Sequence, residues 1–576
     1  HGRLVSARRM QPDQVLMRTH LDAARQIYQA RSPDAVAHAT VLYALADWHQ
    51  RSGALASSVD ALREALTVLD GQTRMLGGAD DARALFADQT APIYRALIEQ
   101  LVETGNAREA FDVLERYRAR SMLGLLAQRE QSFAAAVDAN ASAQNAANRA
   151  YDRAQQRLNV ALAEGASGED VEALRAELIE YRALRESGSV RRERPGAPRA
   201  DADPAARASL AEAQAALAPG TLALSYLVGD AQTLVFAFTN ETFRVDTVAL
   251  TRDELTEAVG RLRALIVSGR RDDRPSSALR DAGASLYNAL LRPFVDAEGM
   301  GRLLLLPDGP LHHLPFAALT ERDDDGERFV VERWPLRHAL SLTLQSRAAD
   351  CGPNPCDVRD GNLALFAAPG AGPERLAFAE RELDAVERIA GGAVRRFDGQ
   401  DATERRVLGV ARDASILHFA THATLAPGLP LDSALELHPD PPQDNGRLQV
   451  WEIFEQLRTD AALVVLSACD SAQGMEAAGD GLISLSRAFH FAGAESVVAT
   501  QWPVADRASA FFAESFYRGL RDGRPLDDAL RAAQLALLRG EAPSSLLRRV
   551  LRRAEPVPAG SAAPYYWAGY QLSGRR

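Results

Sequence analysis

The chain of 576 residues is long enough for several domains, and its 47% apolar and 25% charged content is ordinary for a globular protein with a sizeable core. A net charge of −11 argues against nucleic acid as the main partner, and no apolar run reaches the ~18 residues of a membrane-spanning helix. All 66 basic residues are arginine, a bias that a GC-rich genome produces, which removes P-loop, Schiff-base and Ser–Lys dyad chemistry and leaves no cofactor expected. The sequence starts at His1 without a signal-like segment, as a fragment with unseen upstream targeting would.

Residues 1–125 read as helix after helix. AHATVLYALADWHQRSGALASSVDALREALTVLD (37–70) carries apolar and small residues at helical spacing on both sides of a glycine turn. APIYRALIEQLVETGNAREAFDVLERYRARSML (91–123) repeats the plan, with ETGNA as its turn. Self-similar helical hairpins of about 34 residues are the tetratricopeptide signature, and they stack into a solenoid whose concave face binds a partner. A plain helical bundle is the alternative. Residues 126–185, rich in Ala, Glu, Gln and Arg with few breakers, predict long helices paired as a hairpin. ESGSVRRERPGAPRADADPAARAS (186–209) loses apolar periodicity and marks a linker at the main domain boundary.

From about residue 210 short apolar strands alternate with amphipathic helices. Strands are predicted at 222–228, 233–239, 243–250, 302–308, 363–369, 415–421, 462–468 and 495–502. Helices are predicted around 252–266, 276–292, 380–391, 481–493 and 508–520. The pattern implies an α/β sandwich around a largely parallel, buried sheet.

In such sheets functional groups gather beyond the carboxyl ends of the strands. SILHFATHATLAPG places His422 just past one strand, and LVVLSACDSAQG places Cys469 at the end of the next. Taken alone, Cys469 reads as a buried core thiol. Paired with a histidine 47 residues earlier, at the end of another predicted strand, it reads as a nucleophile whose proton the imidazole takes, provided the two strands are neighbours. Caspases show the same order, with the histidine about 50 residues upstream. Small residues around Cys469 would let substrate backbone approach and leave amides available for an oxyanion. His418 lies four residues before His422, but HFATH sits on a strand and lacks a zincin glutamate, so no metal is expected and His418 is read as a core residue. His312 and His313, in PDGPLHHLPF, are read as holding a turn. Cys351 and Cys356, in the turn CGPNPC, are read as free surface thiols, with a short-loop disulfide as the alternative.

The motifs HFATHA, VVLSACDSAQG, GDGLISLSRAFHFAGAESVVATQWPV and PYYWAGYQLSG, with RLLLLPDGPLHHLPFAAL (302–319) upstream, resemble the CHAT family, caspase-like cysteine peptidases often fused to tetratricopeptide repeats. The resemblance covers about 210–576. It implies a caspase–hemoglobinase-type sandwich related to separases, with a pseudo-protease-like part over 210–350, a catalytic part over 351–576 and a His422–Cys469 dyad. The backbone amides of Ala423 and Cys469 would hold the oxyanion. Two departures stand out: the family often has Gly where this chain has Ala423, and DSAQG replaces a Glu-Thr-Gly-like turn after the cysteine.

The function expected is therefore a cytoplasmic, bacterial cysteine endopeptidase acting on a protein substrate. Its helical repeats would recruit that substrate or an activator or inhibitor, with no direct nucleic-acid or membrane partner. Separases favour a basic residue before the scissile bond, and Asp432, Asp470, Asp480 and Glu452 flank the proposed site as carboxylates able to receive one. Each alone reads as a solvated loop charge or helix cap before it reads as a substrate ligand, while an acidic preference would need an arginine such as Arg487. The flexible RRERPGAPR (191–199) is a candidate for self-cleavage. A non-catalytic scaffold and a cysteine acyltransferase or amidohydrolase are the alternatives.

Overall fold

The computed structural model describes residues 12–118 except 34 and 74–79; scattered positions between 151 and 181; 209–342 except 270–274, 296–298 and 325; 361–541 except 371–374, 427–429, 442–443, 468–473 and 478–480; and 563–574. The 186–208 linker with its candidate cleavage segment, Cys351, Cys356, Cys469, Asp470 and Asp480 lie outside the described residues, as does most of 126–185. Two units divide the chain after Tyr117.

The first unit is helical: α1 (Pro12–Arg31), α2 (Val36–Arg51), α3 (Leu55–Thr73) and α4 (Asp80–Glu103), then a further helical run over 107–117. Leu42, Leu45 and Ala46 of α2 and Leu62, Ala65 and Leu66 of α3 are all buried where the two helices pack. The two glycine turns anticipated from the sequence are built alike. At the first, the Ser52, Gly53 and Ala54 amides donate to Trp48, Gln50 and His49. At the second, Thr104, Gly105 and Asn106 donate to Gln100, Val102 and Leu101. Gly53 and Gly105 both sit at φ +80°, the left-handed position that closes a helix without a Cβ penalty. This shared stop chemistry makes the two hairpins repeats of one plan.

The second unit is organised by a single sheet of eleven strands. They are β1 (Thr221–Val228), β2 (Thr233–Phe238), β3 (Phe243–Val248), β4 (Arg302–Leu306), β5 (Leu336–His338), β6 (Leu363–Ala368), β7 (Val394–Asp398), β8 (Ile416–Thr421), β9 (Leu463–Ser467), β10 (Ser496–Thr500) and β11 (Tyr570–Gly574). Their spatial order is β3-β2-β1-β4-β5-β11-β10-β9-β8-β6-β7. The strands β1, β4, β5 and β11 are mutually parallel, as are β10, β9, β8, β6 and β7. The two groups run in opposite senses and meet at the antiparallel pair β10–β11. The last strand of the chain therefore joins an upstream half to a downstream half.

Helices cover both faces. Beside α5 (Arg252–Ser268) and α6 (Ser277–Leu290), one face carries α7 (Ala379–Ile389), α9 (Asp506–Arg521) and α10 (Leu526–Arg539); the other carries α8 (Leu485–Ala492) and the short helices 404–410 and 450–455. Alternate residues of β8 divide between them, Ile416 and Ala420 entering one core and Leu417 and Phe419 the other. Burial on both faces is why these strands read as continuous apolar runs.

The sequence reading missed β5, β7 and β11 as strands. It also placed a helix over 481–493, whereas 481–484 is a strand paired antiparallel with 474–477 and the helix starts at Leu485. Leu482 and Ile483 suit a strand as well as a helix, and long-range pairing decides between them. Two of the quoted motifs prove to be partners in packing. A Cβ at Gly569 of WAGY would lie 2.9 Å from the ring of Trp502 in QWPV, the Trp502 indole donates to the Tyr565 carbonyl at 2.9 Å, and the Gln501 amide donates to the Gly569 carbonyl at 2.9 Å. Gly569 is required there because its backbone lies against an indole.

Among the described residues no helix is long and apolar enough to cross a membrane, and no group of three or more His, Cys, Asp or Glu is placed to hold a metal ion.

Candidate functional site

The adjacent parallel strands β8 and β9 pair with Ala420 opposite Ser467. His422 is two residues beyond Ala420, and Cys469 is two residues beyond Ser467 in sequence. Beyond these strand ends, a cleft opens between the starts of α7 and α9, lined by Glu382, Ala420, Thr421, Ser467, Thr500 and Asp506 among others.

His422 is half-buried and leaves the strand into a small three-stranded sheet of 423–424, 434–436 and 447–449. Its carbonyl accepts the Glu436 amide at 2.9 Å. Backbone groups of successive strand residues alternate in direction, so the Ala423 amide turns away from the 434–436 strand. Gly370, just past β6 and at φ +72°, lies under the imidazole: a Cβ there would sit 3.2 Å from Cδ2 and 3.3 Å from Nε2 of His422. Sequence reading missed this glycine, although the Pro-Gly pair after a buried strand was a visible turn signal.

A buried polar chain lies behind the cleft. His418, fully buried on β8, has Nδ1 3.1 Å from the Tyr517 hydroxyl and Nε2 3.1 Å from Glu382 Oε1. The core reading of His418 holds, with partners on α7 and α9 that no local pattern reveals. Asp506 opens α9, and its Oδ2 accepts the Phe378 amide at 2.7 Å. Burial pushes its carboxyl up to about 6 and the charge of Glu382 adds to this, while the Phe378 and Ala377 amides and the charge of His422 oppose it.

The carboxylates proposed for substrate binding sit differently. Asp432 is buried, and its Oδ1 accepts the Tyr151 hydroxyl at 2.6 Å. Tyr151 in turn meets the Trp451 ring edge-on. Glu452 caps the 450–455 helix by accepting the Gln449 amide at 2.9 Å. Arg487 is buried on α8. His312 and His313 lie on a 3₁₀ turn, where burial holds their imidazoles down to about 3 and about 4, so both are neutral at pH 7.

The chain is similar to Tetratricopeptide repeat protein 28 of mouse, 27% identical over 45% of this chain, and of human, 28% identical over 52% of it; it spans 13% of the length of each. Among solved structures it resembles the separase–securin complex of Saccharomyces cerevisiae at 10% identity and TM-score 0.45, covering 98% of this chain and 48% of that one. It also resembles the Arg-specific cysteine proteinase gingipain R at 10% identity and TM-score 0.32, covering 55% and 74%. The CHAT domain model matches residues 280–575, more than half of the chain, so this chain belongs to the CHAT domain family.

Proposed function

We propose that this protein is a cysteine endopeptidase in which Cys469 is the nucleophile and His422 the general base. The observation that carries the reading is the pairing of β8 with β9, Ala420 opposite Ser467, with the two reactive residues an equal step beyond. Neighbouring strands run about 4.8 Å apart, a separation that imidazole and thiol can span. His422 takes the Cys469 proton, the thiolate attacks the substrate carbonyl, and the imidazolium returns the proton to the leaving amine. The amides of Ala423 and Cys469 receive the oxyanion. The substrate is a protein cut after a basic residue, with Asp432, Asp470 and Asp480 as candidate carboxylates for that residue. Asp432 would receive that residue while already accepting the Tyr151 hydroxyl on Oδ1.

The helical repeats of 1–125 recruit a protein substrate or regulator, the 126–209 segment links them to the protease, 210–350 is the pseudo-protease-like part and 351–576 the catalytic part. The description of the mouse and human relatives as repeat proteins favours a second reading, a scaffold without activity. Peptide-library cleavage by the wild type and by Cys469→Ala separates the two. Cleavage lost only in the variant supports the peptidase; absence of both cleavage and electrophile labelling at Cys469 supports the scaffold.

A further inference from the structure

We infer that Asp506 is a positioning residue for His422, its carboxylate supplying a fixed negative charge that orients the imidazole and steadies the imidazolium formed when Cys469 gives up its proton. This rests on the peptidase reading and adds a residue to it.

The placement comes from the fold. Asp506 lines the same cleft as Ala420, Thr421 and Ser467, the ends of the two strands that lead to His422 and to position 469. It belongs to neither strand and arrives about 84 residues after the histidine in sequence, on α9. Its carboxylate is fixed rather than swinging: Oδ2 holds the Phe378 amide from the segment entering α7, and the start of a 16-residue helix favours negative charge.

The charges around it define what it can do. Glu382 lines the same cleft from α7 and lies 3.1 Å from His418, which is braced by Tyr517 of α9; Arg507 follows Asp506 in sequence; His422 is two residues past the cleft-lining Ala420, and its charge bears on the Asp506 carboxyl. Glu382 thus has a buried histidine of its own, and His422 is the opposing charge that acts on Asp506. An anion beside an imidazole stabilises imidazolium, and imidazolium stabilises a neighbouring thiolate. The proton balance is simple: Cys469 loses its thiol proton to His422, and Asp506 stays ionised throughout. With the Asp506 carboxyl at about 6, this support is present above that pH and lost below it as the carboxyl protonates.

The test is the pH profile of iodoacetamide alkylation at Cys469 in the full chain, read by peptide mass spectrometry with Cys351 and Cys356 as reference thiols. Asp506→Asn keeps an oxygen acceptor for the Phe378 amide; it is expected to slow labelling at pH 6.5–7 about tenfold and move the profile upward, a one-unit thiol shift. Asp506→Glu is expected to recover part of the rate. Thermal melts of each variant separate these effects from unfolding. If His422→Ala slows labelling but a folded Asp506→Asn keeps the wild-type profile, the role of Asp506 is overturned and the dyad stands. If wild-type Cys469 reacts like the reference thiols and His422→Ala changes nothing, both readings fall.

Discussion

Replacing Gly370 by Ala tests whether backbone geometry sets the position of the His422 imidazole. At φ +72° an L-residue carries left-handed strain of about 1–2 kcal/mol. Gly523, at φ +81° in the same unit, carries the same strain but would place its Cβ with nothing within 4 Å. At Gly370 the new methyl would instead meet His422 at 3.2 and 3.3 Å, so the imidazole must retreat by a few tenths of an ångström. Both variants are therefore expected to lose about 1–2 kcal/mol in urea unfolding. Only Gly370→Ala should also slow Cys469 alkylation; a displacement of ~1 Å costs roughly a hundredfold, so tenths of an ångström predict about threefold to tenfold. If Gly370→Ala and Gly523→Ala lose equal stability and both label Cys469 at the wild-type rate, Gly370 does not set the ring and the reasoning fails.

Three further outcomes follow from the packing. Glu382→Leu leaves the His418 imidazole without its carboxylate inside a buried site and should cost about 1–3 kcal/mol, measured by denaturant midpoint. An unchanged midpoint would show that the contact is dispensable. Burial holds His312 near 3 and His313 and His338 near 4, whereas unfolded histidine titrates at about 6.5. The unfolded chain thus binds more protons below that pH, so stability from these groups is complete above pH ~6.5 and declines as pH falls toward 4. Urea melts at pH 8, 6 and 4.5 should show a declining midpoint, shallower when His312 is replaced by Asn. Deleting residues 564–576 removes β11 from between β5 and β10 and exposes two strand edges at once. The second unit should then lose cooperative unfolding, which calorimetry reads directly; a sharp native-like transition would contradict the stitching role of β11.

Local pattern was enough to expose much of the architecture. Glycines between apolar-periodic helices marked the turns at Gly53 and Gly105, because helix termination is a short-range event. Doubly buried strands such as β8 and β9 announced themselves as apolar runs, and each ended at a reactive residue, so His422 and Cys469 stood out as candidates without coordinates. Short strands escaped. The three-residue β5 is too brief for a period to register, and the half-buried VRRFD of β7 has no apolar run. The motif holding β11 was noticed for its aromatics, not for its pairing.

The sequence alone thus determined the types of the longer elements, the two glycine turns and the two reactive candidates, since each depends on a few consecutive residues. Tertiary structure alone decided that β8 lies beside β9 with Ala420 opposite Ser467, and that the C-terminal strand joins two oppositely running halves. It alone brought Gly370, Glu382 and Asp506 to the end of β8 from segments scattered across more than 130 residues. Such neighbours are set by strand order and helix packing, whose free energy comes from burial among residues far apart in the chain, and no local spacing encodes it.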